Sequence, residues 1–415
     1  MAIGAIALIV GSDYEFRTRA PDASLEAGID QAILFELALY AAVAAYLVLV
    51  HLGSPRVRRT DPPMYFTCFL VGLWALSLLY TPFVQFAAVR VAQMGIVLAF
   101  VVAIASHASR AHLLRFVHAF VALVALSVLY GLAVPAPAVS DSQIGRFSWL
   151  AVHPTVSGVL CGLAVVVVVH QLVAGPNTGN PNTGNPEIGG PAFRWPTGAY
   201  IGALVVCAGG LLGTQTRGAI VGAGLGAVVT LVSSRDGRRI IDVGVALVVL
   251  GSGIALWASE TIAVYFARGE DPEKLATLNE RTVLWDAATD AFATRPMFGH
   301  GVTSSQGIFF EETGLGGGHN AVISLLVELG LVGTVCWFLL VASLIAGIRR
   351  LPRRGHDGGS GASADRTLML AVVTFLLFDG IFFQGAGDVT NVASLWLFMI
   401  VAWLVVTRRT LGATS

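Results

Sequence analysis

Residues 316–330 read Gly316-Gly317-Gly318-His319-Asn320, then Ala321-Val322-Ile323-Ser324-Leu325-Leu326-Val327-Glu328-Leu329-Gly330. A polar segment turns here, within a few residues, into an apolar run that continues to Ile348. At about 1.5 Å per residue that run can cross roughly 30 Å of hydrocarbon. Upstream, the polar segment reaches back to Glu260 and carries the chain's only lysine, Lys274, with Arg268, Arg281, Arg295, His300, His319 and a cluster of carboxylates. It is bounded by hydrophobic spans on both sides, so the rest of the chain reads as the membrane scaffold that presents it.

Composition agrees. The chain has 415 residues, 55% hydrophobic and 12% charged, with a mean hydropathy of +0.77. That is more apolar surface than a soluble core of this length buries, and it predicts an all-α polytopic membrane protein. Lys plus Arg and Asp plus Glu both number 25, so the net charge is zero and nothing points to a nucleic-acid partner. Cys68, Cys161, Cys207 and Cys336 lie in apolar spans without C-x-x-C spacing, which reads as core packing rather than a disulfide or zinc site.

Working outward, the run from Met1 to Val10 is too short to cross the bilayer and lacks the features of a signal peptide, so it reads as the end of a helix. Spans follow at Gln31–Leu52, Met64–Tyr80, Phe83–Ser106, Leu113–Val134, Leu150–Val173, Gly198–Leu212, Gly218–Val232 and Ile240–Ala258. After the long loop come Ala321–Ile348, Leu368–Phe383 and Val392–Val406. With the first run, that makes 11–12 transmembrane helices in one domain, 1–415. Arg56, Arg58, Arg59, Arg110, Arg115, Arg194, Arg235, Arg238, Arg239, Arg349, Arg350, Arg353, Arg354, Arg366, Arg408 and Arg409 then all fall on one face, the cytoplasmic face by the positive-inside rule. Residues 260–318 form an extracytoplasmic loop, and the protein is placed in the inner or plasma membrane. The Asn/Pro/Gly segment within 176–197 reads as a cytoplasmic low-complexity linker, and the Gly/Ser-rich stretch from Gly355 to Ala364 reads likewise.

Three features share the external face. Gly213-Thr214-Gln215-Thr216-Arg217-Gly218 is a tight turn, and Gly218, Gly222 and Gly226 form a small-residue stripe that admits a close helix neighbour. A helix opening at Asn279 and stopping before Arg295-Pro296 is amphipathic: at about 100° per residue Arg281, Trp285, Ala288 and Phe292 share a face, read as the membrane side, opposite Asp286 and Asp290. Bland readings exist for both arginines: Arg217 snorkelling at the interface, Arg281 anchoring beside aromatic residues. The third feature is His319-Asn320 at the mouth of a helix whose positive dipole end favours anions and a neutral imidazole. Glu328 lies deeper, roughly 10 Å into the bilayer, where a carboxyl needs a partner or a proton. Arg90 and Asp379 are the other intramembrane ionisable groups.

Taken together, Thr216-Arg217-Gly218-Ala219, then Glu280-Arg281 with Leu284-Trp285, Pro296-x-Phe298-Gly299-x-Gly301, His319-Asn320 and Glu328-Leu329-Gly330 resemble the O-antigen ligase and O-antigen polymerase superfamily of bacterial envelope glycosyltransferases. The resemblance spans about Gly213 to Gly333. It implies a GT-C-like membrane enzyme that moves a glycan from a polyprenyl-diphosphate carrier, such as undecaprenyl diphosphate, to a hydroxyl of a glycan or glycolipid acceptor on the external side. It assigns the diphosphate to Arg217 and Arg281 and the acceptor to His319, with Asn320, Glu328 and Arg90 as supporting candidates.

The chemistry fits those residue types. Guanidinium forks match phosphate oxygens and stay charged near a membrane. No Asp-x-Asp pair is present to hold an ion, so the expectation is a metal-independent, inverting displacement without cofactor. Two alternatives remain. A twelve-helix secondary transporter would split six and six around the Asn/Pro/Gly linker. A peptidoglycan-type polymerase would use a loop carboxylate as base, from Asp286, Asp290, Glu311 or Glu312.

Overall fold

The computed structural model describes residues 1–16, 31–51, 61–136, 138, 143–150, 152–174, 194–233, 281–313, 320–353, 360–383, 385, 387 and 390–412. Among these the chain forms thirteen helices and no strand. The first half contains α1 (Ala2–Asp13), α2 (Gln31–His51), α3 (Pro62–Ser77), α4 (Val84–His107), α5 (Arg110–Ala133), α6 (Pro154–Val173), α7 (Thr197–Gly213) and α8 (Arg217–Ser233). The second contains α9 (Arg281–Thr294), α10 (Ser304–Thr313), α11 (Ala321–Arg349), α12 (Ser360–Asp379) and α13 (Val392–Gly412). Seven of them are long and apolar enough to cross a membrane, and α1, α3, α7 and α8 are shorter apolar helices. This is an all-α polytopic membrane protein.

Local chemistry sets several of the boundaries. Pro154 opens α6 after His153, whose Nδ1 accepts from Thr155 N at 3.2 Å. Ser109 and His112 form a capping box at the start of α5. Such side chains satisfy amide groups that the first helical turn leaves without partners.

The last helix is the hub. α13 touches α1, α3, α4, α5, α6, α11 and α12, and Trp396, Phe398 and Trp403 on it are fully buried. α8 packs along α12, and the Gly218–Gly222–Gly226 stripe explains how. A Cβ at Gly226 would stand 3.1 Å from the Ala371 carbonyl oxygen, and one at Gly222 would stand 3.2 Å from the Phe375 ring. The absent side chains let the two backbones approach.

The described arginines of the basic loops tie down one end of the bundle. Arg110 pairs with Asp365 at 2.9 Å and Arg408 with Asp61 at 3.0 Å. Arg409 donates to the carbonyls of Ala105, Ser106 and Ala108, and Arg194 donates to that of Gln171.

Several expectations need correction. The stretch 355–364 does not stay irregular throughout, because α12 begins at Ser360; its early turns are held by Asp365, which is almost completely buried against Arg110. α13 continues to Gly412, beyond the expected end at Val406. Cys161, Cys207 and Cys336 are core residues, but Cys68 faces outward. The Trp285–Ala288 face of α9 does not look into the membrane: Leu284, Ala287 and Ala288 are buried against Phe309 of α10 and Val327 of α11. α10, which hydrophobic periodicity did not reveal, covers that face. Residues 176–193 of the expected linker, Asn279 and the span Ile240–Ala258 lie outside the described residues, and Thr197, the expected end of the linker, opens α7.

Candidate active site

The site is built around the end of α12. There, Ala321 N donates to the Gly380 carbonyl at 2.9 Å and Asn320 Nδ2 donates to the Ile381 carbonyl at 3.1 Å. The same Asn320 side chain caps α11, its Oδ1 accepting from Val322 N at 2.9 Å and Ile323 N at 3.1 Å. The start of α8 packs against the same helix end. A Cβ on Gly218 would lie 3.1 Å from Phe382 Cβ and 3.4 Å from Asp379 Oδ1. Residues 379–382 therefore touch both the neighbour of Arg217 and the neighbour of His319. His319 itself lies outside the described residues.

Arg217 is the first residue of α8 and Arg281 the first of α9. A helix start carries a partial positive charge, so a cation there is disfavoured by about 0.3–1 kcal/mol. The start of α8, with α11 opening at Asn320 near it, is a place where helix N-termini favour an anion.

Residues 202–338 match the O-antigen ligase family. The match runs from within α7 to within α11 and takes in Arg217, Arg281, Asn320 and Glu328. No curated protein matches the chain. Membership of the ligase and polymerase superfamily is thus supported by a domain covering the segment in which its motifs were read. Asp379 and Phe382, which pack against Gly218, lie beyond that ligase segment.

Within the ligase segment, two of the motifs turn out to be one structural device. α11 is broken at Gly330, with φ 62° and ψ −157°, and the loop after α9 inserts its backbone at the break. His300 N donates to the Val327 carbonyl and Gly301 N to the Glu328 carbonyl, both at 2.8 Å. In return Leu331 N donates to the Pro296 carbonyl at 2.8 Å and Val332 N to that of Met297 at 3.1 Å. The Pro296-x-Phe298-Gly299-x-Gly301 and Glu328-Leu329-Gly330 motifs thus satisfy each other's backbone groups inside the apolar layer, where bare amides are costly. Tyr80 reaches the same joint, donating to the Phe298 carbonyl at 2.8 Å.

The remaining candidates fall in different places. Glu328 is fully buried, and its Oε1 accepts from Ser305 Oγ at 2.6 Å; the partner that a carboxyl at this depth requires is a hydroxyl on α10. Arg90 lies 5.2 Å from the Phe86 ring centroid, and its Nη1 donates to Gln93 at 3.4 Å. Gln93 in turn accepts from Thr390 Oγ1 at 3.2 Å, in the loop that follows α12. Asp286 and Asp290 are exposed on α9. His300 Nε2 lies 2.9 Å from the Ala291 carbonyl and 3.0 Å from Thr294 Oγ1, holding the end of α9.

Sequence reading gave two residues no role in the site. Asp379 is buried beside Gly218, and its Oδ1 accepts no hydrogen bond among the described residues. Arg146 binds the turn that leads into Arg217. The available signals were a carboxylate at a membrane depth where charge is costly and the one arginine of the loop between Val134 and Leu150.

Proposed function

We propose that this chain transfers a glycan from a polyprenyl-diphosphate carrier to an acceptor hydroxyl on the extracytoplasmic side, by a metal-independent inverting displacement. The observation that carries the reading is that Gly218 and Asn320, sequence neighbours of Arg217 and His319, both pack against residues 379–382. This reading takes Arg217 as the cation for the leaving group and His319 as the base for the acceptor.

In the proposed step the acceptor oxygen attacks the anomeric carbon while the bond from that carbon to the diphosphate oxygen breaks. The hydroxyl proton passes to neutral His319, and the departing polyprenyl diphosphate takes the bonding electron pair. Arg217 and Arg281 offset the charge that develops on it, the task for which paired guanidinium donors are suited. The transporter alternative loses support at α11. A broken membrane helix is a feature of transporters, but here the groups freed at the break at residues 327, 328, 331 and 332 are bonded to residues 296, 297, 300 and 301.

The deciding experiment is transfer by purified protein in lipid nanodiscs, from a polyprenyl-diphosphate-linked oligosaccharide to a glycolipid or glycan acceptor, in excess EDTA. Product of inverted anomeric configuration together with free polyprenyl diphosphate supports the reading. Activity that vanishes in EDTA and returns with magnesium transfers the leaving-group role to an ion, and no transfer to any acceptor returns the chain to the transporter class.

A further inference from the structure

The turn that delivers Arg217 is held by a residue far away in sequence. We propose that Arg146 is a positioning residue: it clamps the Thr214–Thr216 turn and so sets where the Arg217 guanidinium meets the diphosphate. The inference rests on the reading of Arg217 given above and extends the site to a loop outside the ligase-family segment.

Arg146 Nε donates to the Thr214 carbonyl at 2.9 Å, and its Nη2 reaches Thr216 Oγ1 at 3.2 Å and Thr155 Oγ1 at 3.5 Å. Thr216 Oγ1 also donates to the Pro154 carbonyl at 3.2 Å. The adjacent amide, Phe147 N, donates to the Gly213 carbonyl at 2.8 Å. One short loop thus takes up the carbonyls left at the end of α7 and fixes the side chain of the residue that opens α8.

Between the two threonines, Gln215 has a φ of 51°. A non-glycine residue in this left-handed region is disfavoured and persists where its surroundings over-determine it. Here Arg146 acts alongside local bonds of the turn, in which Gln215 N donates to the Leu212 carbonyl at 3.0 Å and Thr216 N to Thr214 Oγ1 at 3.3 Å. Capping the negative end of α7 is one role for a cation there, but it requires only charge. The observed contacts use the fork: Nε on one side of Gln215 and Nη2 on the other.

Arg146→Lys separates the two roles, since it keeps the charge and loses the fork. Purified Arg146→Lys is expected to be folded, with kcat at least about tenfold lower because small displacements of a positioning group are costly in rate, and with the acceptor KM unchanged. Hydrogen exchange in a peptide spanning 210–220 should be faster than in wild type. In an Arg217→Lys background the same change should cost less than about twofold more, because both act on one group. A folded Arg146→Lys with kcat within about twofold of wild type overturns the proposal, as does unchanged exchange in that peptide. Should Arg146→Lys fail to fold, Thr216→Val carries the same test by removing the Oγ1 on which Nη2 converges. If wild type shows no transfer from the polyprenyl-diphosphate donor, it is the functional reading that falls, and the exchange measurement still decides the clamp.

Discussion

The backbone of Gly299 stands where a side chain on Gly330 would be. A Cβ on Gly330 would stand 2.7 Å from Gly299 N, and a Cβ on Gly299 would stand 2.5 Å from the Glu328 carbonyl group. Both residues have positive φ, 67° and 62°, and Gly330 lies in a region that is almost exclusive to glycine.

Alanine at either position combines backbone strain with overlap. Each contributes about 1–3 kcal/mol, so Gly299→Ala and Gly330→Ala should each lower the melting temperature of the detergent-solubilised protein markedly. The double variant should lose less than the sum, because both disrupt one joint. Melting unchanged by Gly330→Ala would show that α11 does not depend on its break.

Glu328 belongs to the same joint, and its chemistry is expected to be structural. Glu328→Gln keeps an acceptor for Ser305 Oγ and should retain most activity. Ser305→Ala strands a buried acceptor, which costs about 1–3 kcal/mol, readable as a lower melting temperature with kcat little changed. A large kcat loss in Glu328→Gln at unchanged stability would make the carboxyl a reacting group.

Arg217→Lys and Arg281→Lys retain charge at the starts of α8 and α9 but cannot form a two-pronged contact with phosphate oxygens. Both should reduce turnover by about tenfold or more, with folding intact. Normal turnover in both would return the two arginines to interfacial anchoring.

His319→Gln should lower kcat by about 100-fold or more with donor binding little changed. In wild type the rate should rise with pH as the imidazole loses its proton, because only the neutral ring accepts the proton; the glutamine variant should lose that limb. If turnover survives His319→Gln, Asp379, buried beside Gly218, becomes the next base to test, by Asp379→Asn.

The proposed orientation is open to labelling. Cysteine at Gly316, in a background with Cys68 replaced, should react with an impermeant maleimide in intact cells, and cysteine at Gly359 should not. The opposite pattern would remove the ground for an extracytoplasmic site.

Much of the architecture was legible in the residues themselves. Apolar runs located α4, α5, α7, α8 and α11 to within a few residues, and α4, α5 and α11 also have the length that a bilayer demands. The glycine stripe announced the close approach of a helix to α8, since a missing side chain leaves a groove whatever fills it. The motif set pointed to the ligase superfamily before any coordinate was known. The start of α11 at Ala321 was equally readable.

Which helices meet was a different matter. α13 is the hub although its neighbours are as apolar as it is; lipid and protein core ask for the same side chains, so hydropathy cannot rank burial. α10 escaped notice because ten residues with polar ends carry little periodic signal, yet it decides which face of α9 is covered and gives Glu328 its hydroxyl partner. The approach of Gly299 to Gly330, and the binding of the turn before Arg217 by the Arg146 side chain, bring together groups 31 and 68 to 70 positions apart. The chain by itself determined what is apolar, where helices start and which residues are rare in a membrane. Only the tertiary structure decided which backbone groups complete one another, because that choice depends on contacts across helices that no local pattern encodes.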